Sequence, residues 1–185
     1  MKSKYMKEHF HKLYEQREVM KNELRSFYGE EWKRPYKDKW SIGETYYHLF
    51  LMIKWFRRLN KIYLPLSKPI ATVIKDKNYK TQSDNVYNRY KEKHHKSMKA
   101  PFILVPPKRA KDKISFRDLL DKIDKETKSL ELMVSNISDD AAGKIRFPDP
   151  IANNPNLIQS IDLIGIHENH HFLLCKKWVN TKINS

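Results

Sequence analysis

The clearest helix start in this sequence is the stretch Trp40-Ser-Ile-Gly-Glu-Thr-Tyr-Tyr-His48-Leu49. Ser41 and Glu44 have the spacing of a capping box, in which each side chain binds the backbone N–H of the other residue, and the preceding tryptophan is placed to pack back against the helix. The apolar residues that follow recur at helical spacing, and His48 lies in the centre of their stripe. The stretch therefore predicts a helix that begins at Ser41, carries an inward-facing histidine and ends at Pro65.

Three further stretches have the apolar periodicity of helices. We expect the first helix at about residues 5–28, the third at about residues 115–137, and the fourth from Asn156, which forms a second capping pair with Gln159, towards Trp178. About 50 residues separate the second and third helices, and a short helix is expected there at about residues 84–98. Only 4 glycines in 185 residues disfavour many short strands joined by tight turns. These patterns predict one all-α domain over residues 1–185, a four-helix bundle with a long connection between helices 2 and 3.

The composition limits the class of protein. Lys and Arg number 37 against 22 Asp and Glu, which gives a formal net charge of +15 and favours anionic partners. Because the basic residues are spread along the chain, a Lys-rich surface is favoured over a nucleic-acid-binding arm. Cys175 is the single cysteine, so no intramolecular disulfide can form. The first residues lack the apolar segment of a signal peptide, and no apolar run has the length of a membrane span. We expect a cytoplasmic protein without a membrane partner.

Two histidines in the last predicted helix have the spacing of a metal clamp. His167 and His171 are four residues apart, so their rings project from one face of the helix in successive turns. His48 supplies a third ligand if the second helix faces the fourth across the core, as in the metal sites of other bundles. Hydrogen-bonded core histidines are the alternative, but three of them would leave several buried nitrogens to satisfy. Three imidazoles leave a coordination position open, which is typical of catalytic sites.

Glu168 is a candidate catalytic residue beside these ligands. It falls within the apolar arc of the last helix, where a carboxylate could act as a general base or orient a ligand, and an ion pair with a lysine is the alternative. The segment from His167 to His171 also matches H-E-x-x-H of zinc proteases. Such proteases take their third ligand from farther along the chain, and the extended motif needs glycine where this chain has Leu174. Cys175 is expected to be a small core residue rather than a ligand.

The segment from Trp40 to Leu49, followed more than a hundred residues later by H-x-x-x-H from His167 to His171, resembles the DinB/YfiT-like superfamily. Its members carry W-[ST]-x-x-E and then H-L on the second helix, and H-x-x-x-H on the last long helix. The resemblance implies a four-helix bundle of up-down-down-up order, one metal, nickel or zinc, on His48, His167 and His171, and a homodimer. Some relatives are similar to thiol S-transferases that use bacillithiol, mycothiol or glutathione, and others to thiol-dependent isomerases.

Three functional hypotheses follow from these observations. The first is a metal-dependent thiol S-transferase of the bacillithiol type, or a related hydrolase, that acts on a small molecule and activates a thiol or water at the metal. The second is a basic nucleic-acid-binding module in which the metal is structural, with steeply salt-dependent binding. The third is a non-catalytic scaffold, which the intact set of three histidines disfavours.

Overall fold

The chain forms six α-helices in the computed structural model, which describes residues 1–73, 78–95 and 98–183. Their bounds are α1 Lys4–Glu23, α2 Ile42–Val73, α3 Val86–His94, α4 Phe116–Val134, α5 Asp139–Lys144 and α6 Leu157–Ile183. Short 3₁₀ turns occupy Leu24–Phe27, Phe102–Leu104 and Ala110–Asp112. The described residues contain no strand, and one isolated β-bridge joins Arg146 to Asn156. The all-α prediction is confirmed, and the up-down-down-up order of a four-helix bundle stays a prediction.

The predicted capping box forms at the start of α2. The backbone N–H of Ser41 donates to the Glu44 carboxylate at 2.8 Å, and the backbone N–H of Glu44 donates to the Ser41 hydroxyl at 3.1 Å. Arg34 from the preceding loop donates to both oxygens of the same carboxylate, with Nε 2.9 Å from Oε2. The Trp40 ring packs on the His48 ring, with centroids 5.1 Å apart. The capping box therefore fixes the start of α2 about two helical turns before His48.

The predicted end of α2 at Pro65 is wrong, because the helix continues through Pro65 and Pro69 to Val73. The two prolines are four residues apart, both are exposed, and they therefore lie on one solvent-facing side of the helix. Each removes one backbone hydrogen bond, which leaves a carbonyl on the exposed side where water can bind it. Because residues on the other side of this part of α2, such as Leu64 and Ala71, are buried in the apolar interior, their packing offsets the cost of the prolines and the helix continues.

Two apolar clusters fill the interior, and each takes buried residues from α1, α2, α4 and α6. Helix α1 packs mainly on α6, and α2 packs mainly on α4. The first cluster includes Met6, Leu13, Ile53, Leu130 and Ile164, and the second includes Met20, Leu49, Ile123, Phe172 and Cys175. Along α6 the boundary between the clusters falls between Ile164 and Phe172. The predicted site residues of α6, His167, Glu168 and His171, lie at this boundary.

The remaining differences from the predicted elements are local. The first helix ends at Glu23, and a 3₁₀ turn follows it before Gly29, whose φ of 93° suits glycine. Helix α3 lies within the predicted 84–98 range. Helix α5 was not predicted, because six residues are too few to show a periodicity, although Ser138 caps it by accepting from Ala141. In the described part of the chain, none of the helices has the length and apolar composition of a membrane span.

The cap of α2 gives a test of this fold. Replacing the buried Ser41 with alanine removes the hydroxyl that accepts from Glu44, so we expect Ser41→Ala to lower the free energy of unfolding by about 1 kcal/mol in urea denaturation. Ser129→Ala, an exposed site within α4, is the control and should change it by less than about 0.5 kcal/mol. Equal effects of the two substitutions would show that the capping box does not stabilise the protein.

Candidate metal centre

The three predicted ligands lie together in the structure. His48 comes from α2, and His167 and His171 come from successive turns of α6. One ring nitrogen from each lies within 4.8 Å of the others, and the Nε2 atoms of His48 and His167 are 3.0 Å apart. The ring centroids are 4.7–5.0 Å apart in all three pairs. The three histidines that the sequence pattern indicated therefore form one group in which the imidazole rings converge.

A backbone carbonyl sets the tautomer of His48. Its Nδ1 lies 2.8 Å from the carbonyl oxygen of Leu104, which can only accept, so Nδ1 carries the proton and Nε2 carries the lone pair. Leu104 ends the 3₁₀ turn Phe102–Leu104, which packs against α2. The same arrangement, with one imidazole nitrogen donating to a carbonyl and the other facing a cation, is common for metal-binding histidines.

Burial keeps the three rings neutral. Removal from water lowers the pKa of His48, and it lowers the pKa of His171 to about 3, with His48 and His170 contributing to that shift. Burial also lowers the pKa of His167 well below its ordinary value, and the neighbouring histidines lower it further. At neutral pH the lone pairs are therefore available, because a metal does not have to displace protons from imidazolium ions.

The donor set fits a divalent transition metal. Two imidazole nitrogens at 2.0–2.1 Å from a tetrahedral ion are separated by about 3.4 Å, and the 3.0 Å between His48 and His167 is close to that spacing. Neutral imidazoles suit zinc, nickel, copper and iron. The group that could bind an ion contains three histidines and no carboxylate or thiol among the described residues. Such a set leaves at least one position free for a substrate or water.

Glu168 lies on another side of α6 and is completely buried. Arg17 of α1 donates to both of its oxygens, from Nε at 2.9 Å and from Nη2 at 2.5 Å, and also to Asp124 of α4 at 3.1 Å. Burial alone would lower the pKa of Arg17, but the two carboxylates outweigh it and raise that pKa. The carboxylate is therefore held in an ion pair with arginine rather than with a lysine. Its role as a general base stays a prediction.

Cys175 and the other five histidines lie outside the group of ligand atoms. Burial raises the pKa of the Cys175 thiol to about 12, and the residue packs in the apolar cluster with Phe172. The buried His9 contacts the Thr81 carbonyl through Nε2 at 2.7 Å. Of the remaining histidines, His11, His94 and His95 are exposed, and the ring of His170 stacks on the ring of Tyr87.

Two residues that the sequence did not indicate also contact the site. The Tyr87 hydroxyl of α3 bonds to Nδ1 of His167, and its ring is parallel to that of His170, with centroids 4.0 Å apart. The second is Leu104, through its carbonyl. The short helix that carries Tyr87 was expected within the long connection, but its pattern does not indicate which residue contacts the histidines.

Metal content tests the site directly. We expect the purified wild-type protein, after loading with Zn²⁺ or Ni²⁺ and removal of free metal, to hold about one equivalent by elemental analysis. His167→Ala should lose the bound metal, because the two imidazoles that remain hold an ion less tightly than three. His94→Ala, at an exposed histidine outside the site, should retain the metal. Wild-type protein without metal after loading would make the three histidines core residues.

Comparison with known proteins adds to this geometry. A family model described as the DinB superfamily matches residues 8–175, a range that contains the α2 capping box and all three histidines. No curated protein matches the chain, and no solved structure does. Because the family model covers more than half of its length, the chain belongs to the DinB superfamily.

Proposed function

We propose that this protein is a metal-dependent enzyme acting on a small molecule, a thiol S-transferase of the bacillithiol type or a related hydrolase. The observation that carries the proposal is a group of three neutral imidazoles, one buried (His48) and two half-buried (His167 and His171), with one nitrogen of each within 4.8 Å of the others. Structural zinc sites are usually closed by four protein ligands, whereas three ligands with an open position are typical of catalysis.

In this proposal His48, His167 and His171 hold one divalent ion, zinc or nickel. When bound, the ion supplies a positive charge that lowers the pKa of a thiol or water and so produces a nucleophile near neutral pH. Because the three rings are neutral, they do not offset that charge. The Leu104 carbonyl and the Tyr87 hydroxyl keep two of the rings in fixed orientations, which limits the reorganisation needed when the substrate arrives.

The charge of the protein supports an anionic substrate. The formal net charge is +15, and a positive surface attracts anionic small molecules such as acidic low-molecular-weight thiols. Part of this positive charge acts next to the ligands. The pKa of His170 is lowered mainly by burial of its ring and further by the charge of Lys177. The choice of a thiol over water rests on the resemblance to thiol-using members of the superfamily.

Thiol conjugation is the experiment that tests the enzyme. Zinc- or nickel-loaded protein is mixed with bacillithiol or glutathione and an alkyl-halide electrophile, and loss of the free thiol is followed; hydrolysis of activated esters is measured in parallel. We expect turnover by the wild type, loss to the protein-free rate in His48→Ala, and wild-type turnover in His94→Ala. A metal-loaded wild type that matches His48→Ala in every assay would contradict the proposal.

We also propose a homodimer formed through the exposed side of α2. Five aliphatic residues at helical spacing, each at least half exposed, form a stripe along its C-terminal half: Leu59, Ile62, Leu66, Ile70 and Val73. An exposed apolar surface of this kind usually marks a protein interface. The resemblance to a superfamily whose members often form dimers supports a second copy as the partner.

Light scattering after size-exclusion chromatography tests the dimer. The wild type should have twice the mass of the chain, and Leu66→Glu should have the mass of one chain, because the substitution places a carboxylate within the stripe. Leu132→Glu on α4 is a matched control, since the two leucines are 67% and 64% exposed, and it should leave the mass unchanged. A monomeric wild type would rule out this dimer.

A further inference from the structure

A segment of residues 78–94, which we name the strap, runs along α6 towards the histidines. It consists of residues 78–85 and helix α3. Its anchors follow α6 in order, so the strap and α6 run in the same direction. The Lys80 carbonyl accepts from the Asn156 side chain at 2.8 Å, and the Gln82 carbonyl accepts from the Gln159 side chain at 3.0 Å. The Ser83 hydroxyl donates to the Gln159 carbonyl at 3.1 Å, and the Ser83 N–H donates to the Asp162 carboxylate at 2.7 Å.

A further contact ties the strap to α1. The buried His9 lies 2.7 Å from the Thr81 carbonyl through Nε2. Its Nδ1 lies 3.3 Å from the carboxylate of Asp162, and that carboxylate accepts a hydrogen bond from the Ser83 N–H. The strap is therefore attached to two helices before it reaches the site. These attachments fix the position at which α3 begins, and with it the position of Tyr87 in its first turn.

Tyr87 is the residue by which the strap contacts a ligand. Its hydroxyl bonds to Nδ1 of His167, and its ring stacks on His170 with an interplanar angle of 4°. His170 lies on α6 between the two ligands of that helix. Tyr87 thus holds the ring of one ligand by a hydrogen bond and is itself held by the neighbouring residue.

The hydrogen positions at these rings follow from the acceptors around them. His48 donates from Nδ1 to Leu104, so its Nε2 is an acceptor, and the 3.0 Å contact with His167 requires the proton of His167 on Nε2. Tyr87 then donates to the free Nδ1 of His167. To ligate a metal through Nε2, His167 must move its proton to Nδ1, which then donates to the Tyr87 oxygen.

We propose that Tyr87 is the positioning residue of His167, and that it couples metal binding at the three histidines to docking of the strap. The inference rests on the metal site of the proposed function, although it requires no catalytic activity. An N–H on a metal-bound imidazole is a stronger donor than one on a free ring, so binding strengthens the bond to Tyr87. Because coupling is reciprocal, a docked strap raises the affinity of the site for the metal by the same factor.

Metal affinity of the full-length protein tests the positioning role. Zn²⁺ is titrated in competition with a chromogenic chelator into the wild type, Tyr87→Phe and Tyr90→Phe. Tyr87→Phe keeps the ring and loses the hydroxyl, so we expect affinity to fall about 10- to 100-fold. Tyr90→Phe makes the same change one turn along α3, where the ring faces His94, and should bind as the wild type does. Equal affinity of Tyr87→Phe and wild type would overturn the proposal.

A second variant separates the hydroxyl from the strap as a whole. Ser83→Ala removes one anchor of the strap and keeps Tyr87, so it should weaken Zn²⁺ binding less than Tyr87→Phe does. An equal loss in both would show that docking in general, and not the hydroxyl, sets the affinity, which would overturn the positioning role.

Hydrogen exchange tests the coupling. Amides of residues 78–94 should exchange more slowly in the wild type with Zn²⁺ than without it, and Tyr87→Phe should lose this difference at saturating Zn²⁺ while Tyr90→Phe keeps it. Identical exchange with and without Zn²⁺ in the wild type would overturn the coupling. If the wild type binds Zn²⁺ but conjugates no thiol, the proposed thiol-transferase activity is contradicted, and the predictions for Tyr87 and the strap are unaffected.

Discussion

The ion pair between Arg17 and Glu168 fixes how the helices meet. Both side chains are buried, Glu168 completely, and the same guanidinium reaches Asp124, so one group joins α1, α6 and α4. Taking charges out of water is expensive, and removing one partner of such a pair commonly costs about 3–5 kcal/mol because the other stays buried and unpaired. Sliding any of these helices by one turn would separate the charges, so the pair allows one register of α1 against α6.

That register also determines the position of the histidines. His167 immediately precedes Glu168, so its side chain projects about 100° away around the same rigid helix. While one side of α6 is held by arginine, the neighbouring side presents His167 and His171 to α2, where the buried His48 completes the group. Along α6 the polar residues lie between the two apolar clusters, whereas His48 lies beside Leu49 within the stretch of α2 that belongs to the second cluster. The charged groups face α1 and α4, and the neutral imidazoles face α2.

The features that could be predicted from the sequence are those that depend on residues close together in the chain. The capping pairs Ser41–Glu44 and Asn156–Gln159 both form, since each involves one turn of helix. The i, i+4 spacing placed His167 and His171 on one face for the same reason. His48 required only that two apolar stripes face each other, and the structure brings it to the other two.

The parts that could not be predicted depend on contacts between distant segments. Nothing near Glu168 in the sequence indicates Arg17, which lies 151 residues away, and Tyr87 is 80 residues from His167. The contact with Leu104 uses a carbonyl, which every residue has, so no pattern of side chains could identify it. At Pro65 the local sequence instead gave a wrong prediction. A proline usually ends a helix, but burial of the other side of α2 keeps this helix continuous.

The burial of Cys175 has a consequence for the chemical reactivity of the chain. Only a thiolate attacks an electrophile or a disulfide, and a thiol with a pKa of about 12 supplies roughly one thiolate in 10⁵ molecules at pH 7. The chain has no other cysteine. An alkylating agent or a small-molecule disulfide near the folded protein therefore meets almost no cysteine thiolate of the chain, so neither S-alkylation of Cys175 nor a mixed disulfide with it is expected.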